Sequence, residues 1–236
     1  MNLIVDQQIF EQYPNTLLGV VVLHNIDNKG NNPEIEQLLR DAEKKIIENL
    51  GSTLIIEHPN IAPWREAYRK FGAKPKDYPS SIENLLRRVS KGETVRHINK
   101  LVDIYNVISL RYLVPVGGED LSKIKGDVTL TIAGGNETPV ILLGEKEARP
   151  PYPKEVIYKD DIGTICRRWN WKEADRTKMT EDTKDTFMVI EGIPPIDREL
   201  IQRAVTDLAE LVKKYCGGDI STTILNSENN QVKLME

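Results

Sequence analysis

The stretch from Leu101 to Leu121, LVDIYNVISLRYLVPVGGEDL, holds the point at which this chain changes its hydrophobic period. Leu101, Val102, Ile104, Tyr105, Val107, Ile108, Leu110 and Tyr112 make its first half apolar nearly all round, as in a helix buried on every side. Asp103 and Asn106 interrupt it, three residues apart and so on one helix face. Burying either without a partner costs roughly 1–3 kcal/mol, so something must satisfy both. Two readings stay open. The pair fastens the following turn through its backbone, or Asn106 faces a pocket and Asp103 orients it. Pro115 to Gly118 reads as a stiff turn that breaks the helix.

Upstream of this point the signals are mainly helical. Leu17 to His24 reads as a buried aliphatic strand. Asn32 or Pro33 opens a helix to about Leu50, with Ile35, Leu38, Leu39, Ala42, Ile46 and Ile47 on one face. A shorter helix is expected from Pro59 to Lys70, carrying Trp64 and Tyr68. Ser80 and Glu83 have capping-box spacing, and Ile82, Leu85, Leu86 and Val89 trace the inner face of the helix they open. Gly92 stops that helix, and Asn99 caps the next.

Downstream the period becomes two. Val128, Leu130 and Ile132 alternate with polar residues, and Val156–Tyr158, Thr164–Trp171 and Thr186–Ile190 read as further strands. Pro195 is expected as the first residue of a last helix to about Tyr215, closed by Gly217-Gly218. Ile220 to Leu225 suits an added edge strand, with a polar tail that frays. Helices before residue 112 and strands after it predict an α+β fold with a mixed or antiparallel sheet flanked by helices. No repeat or linker divides residues 1–236, so one domain is expected, with 193–236 as its C-terminal helix and tail.

Composition narrows the function. The apolar fraction is ordinary and the net charge is −4, so nucleic acid would have to meet a local basic patch. Leu17–Leu23 is too short to span a bilayer, and Met1-Asn2-Leu3 lacks the basic start of a signal peptide. Cys166 and Cys216 stand alone, which predicts reduced thiols in a cytoplasm. His24, His58 and His97 share no ligand spacing, so neither metal nor cofactor is expected. Nucleophile elbow, Walker and dinucleotide motifs are missing from the sequence.

Three features remain. Glu191 ends the apolar run Phe187–Ile190 beside a rigid Gly-x-Pro-Pro turn, a good position for lining a cleft. Cys166-Arg167-Arg168-Trp169-Asn170-Trp171, with Arg176 and Lys178 beyond, interleaves arginine and tryptophan. It suits bases and phosphates, or equally an edge strand with aromatics inward and arginines outward. A second basic group holds Arg65, Arg69, Lys70, Lys74, Lys76, Arg87, Arg88 and Lys91. Such a group is either a solvated face or a polyanion footprint.

FGAKPKDYPSSIENLLRRVSKG, LVDIYNVISLRYLVPVGGEDL and CRRWNWKEADRTKMT, in that order, together resemble free-standing proteins of the B3/B4 type. These are homologues of the editing domain in the bacterial phenylalanyl-tRNA synthetase beta chain. The resemblance is strongest over residues 20–192. It implies hydrolysis of the ester of a wrongly charged tRNA, with the aminoacyl-tRNA 3′ end as partner. Val102, Asp103 and Asn106 match the family's Val-Asp-x-Thr-Asn helix segment, and Glu191 matches its strand-end glutamate. Tyr105 stands in place of threonine, Gly117 in place of histidine, and the arginine-tryptophan run in place of a glycine-rich loop. The synthetase's tyrosine specificity therefore does not carry over. What the resemblance implies is a catalytic set of Asn106, Glu191 and Asp103, in a pocket with Tyr105, Pro115, Gly117 and Gly118. Arg87, Arg88, Lys91, Arg167, Arg168, Arg176 and Lys178 are the candidates for RNA contact. A non-catalytic RNA binder and a small-molecule aminoacyl-ester hydrolase are the competing expectations.

Overall fold

The aliphatic run at Leu17–His24 forms a strand, β2, whose two faces are both buried. A computed structural model describes residues 1–51 and 54–235. Before β2 come a strand β1 (Asn2–Val5) and a short helix α1 (Gln7–Gln12); after it come α2 (Pro33–Leu50), α3 (Ala62–Lys70), α4 (Ser81–Val89) and α5 (Lys100–Tyr112). Strands β3 (Val116–Asp120), β4 (Val128–Ile132), β5 (Val156–Lys159), β6 (Thr164–Arg167), β7 (Lys172–Glu173) and β8 (Thr186–Gly192) follow. The chain then forms α6 (Arg198–Cys216), β9 (Asp219–Leu225) and β10 (Gln231–Lys233). The fold is α+β.

Two sheets organise it. One is antiparallel in the order β3-β8-β2-β9; the other is mixed, β10-β1-β4-β5-β6-β7, with β1 and β4 its parallel pair. The period of two sorts the side chains of the first sheet. Leu18, Val20, Val22, Phe187 and Val189 face the mixed sheet together with Trp64, Tyr68 and Trp169. Val21, Leu23, Met188 and Ile190 face α5 and α6. A Cβ on Gly19 would stand 2.4 Å from Val205 Cγ2, so the missing side chain is what lets α6 cross β2 so closely. Trp169 sits at the heart of the first cluster. Its ring meets Tyr13 and Trp64 edge-on, at centroid separations of 4.9 and 5.0 Å.

The expected helix caps Asn32, Ser80 and Asn99 are present, each accepting a backbone N–H of the first turn, and Asp197 does the same for α6. Several expectations need correction. Pro115–Gly118 is no turn; Val116 to Asp120 is a strand paired to β8. The helix carrying Trp64 starts at Ala62, after a single turn of 3₁₀ helix at Ile55–Glu57. Ile47 is exposed, because the inner face of α2 is completed by Glu43, whose carboxylate accepts the Val95 N–H at 2.6 Å. The last helix begins at Arg198 rather than Pro195, where Asp197 supplies the cap. The strand from Thr164 ends at Arg167. The polar tail does not fray: β10 pairs with β1, whose own strand had no forecast.

Candidate functional site

A cavity of about 300 Å³ opens between α4, α5, the β3–β8 edge and the β6–β7 corner. Ser81, Asn84 and Leu85 of α4 stand at its mouth with Leu143, Trp171 and Lys172, all at least partly exposed. Tyr105, Asn106, Gly117, Gly118, Glu119, Tyr158, Cys166, Trp169, Asn170, Glu173 and Glu191 line the rest. Asn106 and Glu191, 85 residues apart in the sequence, thus share one cavity wall.

Glu191 is 3 % exposed and fully engaged. Tyr158 donates to its Oε1 at 2.5 Å and Asn170 Nδ2 to its Oε2 at 2.5 Å. Tyr68 donates to Asn170 Oδ1 at 2.9 Å, which fixes the amide so that its NH₂ must point at the carboxylate. The Trp169 indole N–H lies close to Glu191 without completing a hydrogen bond. Burial pushes the Glu191 carboxyl up to about 7, against the pull of these donors. The Tyr158 phenol is raised well above its ordinary value by burial and by Glu191.

Two further acids share the cavity. Burial raises Glu173 to about 7 although its carboxylate accepts the Gly118 N–H. Glu119 is raised well above its ordinary value, by burial and then by the charge of Glu173. Its Oε2 is sealed from solvent and makes no hydrogen bond, and the nearby Thr177 hydroxyl completes none either. Burial and these carboxylates also push up the Cys166 thiol and the Tyr105 phenol.

Asn106 differs from its helix neighbour. It is buried and lines the cavity, yet its amide has no hydrogen-bond partner among the described residues. Asp103 is not in the cavity wall. It accepts from His97 Nδ1 at 2.5 Å and from the Ile98 N–H at 3.3 Å, so it fastens the segment entering α5 rather than the one leaving it. Pro115 also lies outside the wall, and its carbonyl accepts the Glu191 N–H at 3.0 Å.

The basic residues divide sharply. Arg167 and Arg168 are each 3 % exposed, opposite to the outward placement expected of an edge strand. Glu155 accepts from Arg167 Nε and Nη2 at 2.9 and 2.8 Å and from the Arg168 N–H at 3.0 Å. The Arg168 guanidinium lies over Tyr78, 3.7 Å from the ring centroid, and over Trp171. Arg176 forks onto Asp160 at 3.0 and 2.5 Å, and Lys178 reaches Asp175 at 2.7 Å. Arg87 and Arg65 both hold the buried Glu83, at 2.7 and 2.5 Å. Arg88 approaches Glu93 at 4.0 Å, and Lys91 is exposed with no side-chain partner among the described residues.

The turn that follows Arg167 explains the buried arginines. Arg168 and Trp169 both have left-handed backbone, φ 50° and 64°, a conformation costing roughly 1–2 kcal/mol per residue. Glu155 binds the Arg167 guanidinium ahead of this corner and the Arg168 N–H within it, and thereby delivers Trp169 and Asn170 to the cavity. Sequence reasoning missed Ser81, Glu119, Tyr158, Asn170 and Glu173. For Glu119 a signal existed: it follows Gly117 by two, hence on the same strand face.

Among the described residues, no cluster of three or more His, Cys, Asp or Glu is arranged to hold a metal ion, and no helix is long and apolar enough to cross a membrane. A family model described as "B3/4 domain" matches residues 63–217. No curated protein matches. Among solved structures, the chain is similar to an N-terminal fragment of the phenylalanyl-tRNA synthetase beta-subunit from Pyrococcus horikoshii, at 15% identity and a TM-score of 0.47. That alignment covers 92% of this chain and 49% of the fragment, so the chain spans about half the fragment's length.

Proposed function

The chain belongs to the B3/4 domain family, and from that premise we propose that it is a free-standing hydrolase removing the aminoacyl group from wrongly charged tRNA. Asn106 carries the reading. The residue is buried, and its amide bonds no protein group among the described residues while staying open to the cavity, so it is held ready for something that is not protein. The cavity volume sits at the low end of ligand sites, which run from roughly 300 to 1,000 Å³. That suits an aminoacyl group with part of a ribose.

The chemistry needs no protein nucleophile. An aminoacyl ester is already activated, and a water held near its carbonyl carbon supplies much of the acceleration. The water oxygen bonds to that carbon, and the ribose oxygen leaves carrying a proton. Free amino acid and tRNA with its terminal hydroxyl restored are the products. Asn106 orients the water, and Glu191, held rigid by Tyr158 and Asn170, reads the polar part of the amino acid. Tyr105 and Gly117 shape the pocket, with Gly118 beside them. Arg88, a turn along α4 from Asn84 and Leu85 and only loosely paired with Glu93, and Lys91, just beyond the helix, are the cations best placed for the RNA.

The decisive experiment follows ester loss from a panel of mischarged tRNAs. We expect turnover of at least one member, and a rate lowered on the order of 10²–10³ in Asn106→Ala, the cost of one positioned hydrogen-bonding group. Binding without turnover of any member would leave a non-catalytic RNA binder. A second reading, hydrolysis of a small aminoacyl derivative without RNA, is favoured by the internal pairing of Arg87, Arg167, Arg168, Arg176 and Lys178. Affinity indifferent to salt would select it.

A further inference from the structure

We propose that the wall of the cavity formed by Glu119 and Glu173 is a seat for a protonated amine carried by the ligand. This rests on the cavity being the substrate site of the proposed hydrolase, and it assigns the ammonium to these two acids rather than to Glu191.

The acids of the cavity differ in which lone pairs are already used. Both oxygens of Glu191 accept hydrogen bonds from the protein, so it has little left for a cation. Glu119 has the opposite status: the residue is 5 % exposed, it lines the cavity, and its Oε2 is buried with no partner. A carboxylate in that condition must carry a proton or meet a cation, because leaving it charged and alone is prohibitively costly. Beside it, Glu173 is tied only to the Gly118 N–H. Two acids so close repel, and a single positive charge placed between them relieves both.

The protein supplies no such charge. Lys172 is drawn to Glu145 at 2.9 Å, and Arg176, whose charge reaches Glu119, is clamped on Asp160. An alkylammonium has three donors and no acceptor, which matches two neighbouring carboxylates on one wall, with Glu119 Oε2 itself sealed behind the surface. Access depends on Gly117. A Cβ there would stand 3.0 Å from Glu173 Oε1 and cover it. Asn106, unpartnered on the same cavity, is an observation independent of the acids that also calls for a ligand. An ammonium at the acids and a carbonyl or water at Asn106 are what an aminoacyl group offers together.

The amine has two sources, the α-amino group or an amine on the side chain. Three amides separate them by calorimetry on the full chain: L-norleucinamide carries only the α-ammonium, Nα-acetyl-L-lysinamide only the side-chain ammonium, and Nα-acetyl-L-norleucinamide neither. We expect one of the cationic amides to bind at least tenfold more tightly than the neutral one. Glu119→Gln should erase that difference, and Glu173→Gln, which keeps the Gly118 bond, should reduce it. The seat is overturned if neither cationic amide binds, if the neutral amide binds as well as both, or if both glutamine variants, folded by their melting curves, keep the full discrimination. None of the probes holds an ester, so the result is independent of turnover. A chain that discriminates but leaves every mischarged tRNA intact keeps the seat and loses the hydrolase reading; one that deacylates tRNA but binds the neutral amide equally loses the seat alone.

Discussion

Glu155 and Glu119 are both carboxylates sealed inside this protein, at 2 % and 5 % exposure, and their surroundings could hardly differ more. Glu155 has two arginine nitrogens and two backbone N–H groups on it. Glu119 has a second acid for a neighbour and an oxygen with no partner. The chain gives its buried acids a cation or a hydrogen bond wherever they hold the fold: Glu83 has two arginines on Oε1 although its Oε2 has no partner, Asp160 has Arg176, and Glu43 has Arg40 and a backbone N–H. Sealed polar atoms without a partner also occur elsewhere, among them Tyr13 Oη, Arg40 Nε and Thr164 Oγ1, but a buried carboxylate with neither a cation nor a hydrogen bond stands at the cavity, and it marks where a ligand belongs.

The comparison breaks first if the two kinds of acid respond alike to mutation. Arg167→Ala strips Glu155 of its fork and leaves a buried charge, which typically costs about 3–5 kcal/mol. Urea denaturation should register that loss at neutral pH, and the left-handed corner at Arg168 and Trp169 should loosen with it. A loss below ~1 kcal/mol would put the anchor elsewhere.

Glu173→Gln should do the reverse. The folded protein holds the Glu173 carboxyl near 7, above its ordinary value of 4.5, so the folded state binds the proton more tightly than the unfolded chain. That favours folding at low pH, and the advantage is lost as pH rises toward 7. The variant escapes this loss. Relative to the parent it should gain stability between about pH 5 and 8, by on the order of 2–3 kcal/mol. Asp160 has the opposite sign: burial works against ionisation, but Arg176 and backbone donors hold its pKa below the usual carboxylate value. Its contribution fades as pH falls through that lowered value. Denaturation midpoints for both families of variants across pH would expose any failure of the contrast.

Tyr158→Phe removes one donor from Glu191, which sits between the two extremes. A cost of roughly 1–3 kcal/mol is expected where Glu191 is ionised, and less where it is protonated. The midpoint deficit should therefore be larger at pH 8 than at pH 5. An equal deficit at both would mean that the hydroxyl serves packing alone.

The smallest effect is expected at the surface. Arg88→Ala with Lys91→Ala should change stability by well under ~1 kcal/mol, yet lower tRNA affinity and flatten its salt dependence by about one unit of slope per lost phosphate contact. An unchanged salt slope would move the RNA footprint to other cations of the chain.

The legible parts of this chain were those set by local physics. Caps at Asn32, Ser80 and Asn99 and the aliphatic periods of β2, β4 and β8 are short-range signals, and the structure keeps them. The opaque parts depend on distant partners. Nothing near Asn2–Val5 announces a strand whose mates are Val128–Leu130 and Gln231–Lys233. Arg167 and Arg168 read as surface residues because Glu155, twelve positions away from Arg167, is what permits their burial. Gly117-Gly118 read as a turn because glycine usually marks one. Here a Cβ at Gly118 would strike the Phe187 carbonyl oxygen at 2.7 Å, so the pair belongs to a strand pressed against β8. At the site, Asn106 and Glu191 were visible as polar anomalies in apolar runs. Glu173 was not, and Glu119 only through its two-residue spacing from Gly117, since an acid on a strand is unremarkable until its neighbours are known.

The edge-on aromatic cluster has an optical consequence. The sequence contains three tryptophans: Trp169 and Trp171 line the cavity, and Trp64 lies against Trp169. The entire indole emission of the chain therefore originates at the cavity wall or one ring behind it. A molecule entering the cavity alters the polarity and the quenching around two of the three fluorophores, with no distant tryptophan to dilute the change. The protein carries its own occupancy gauge, readable without label or tag in ordinary emission spectra.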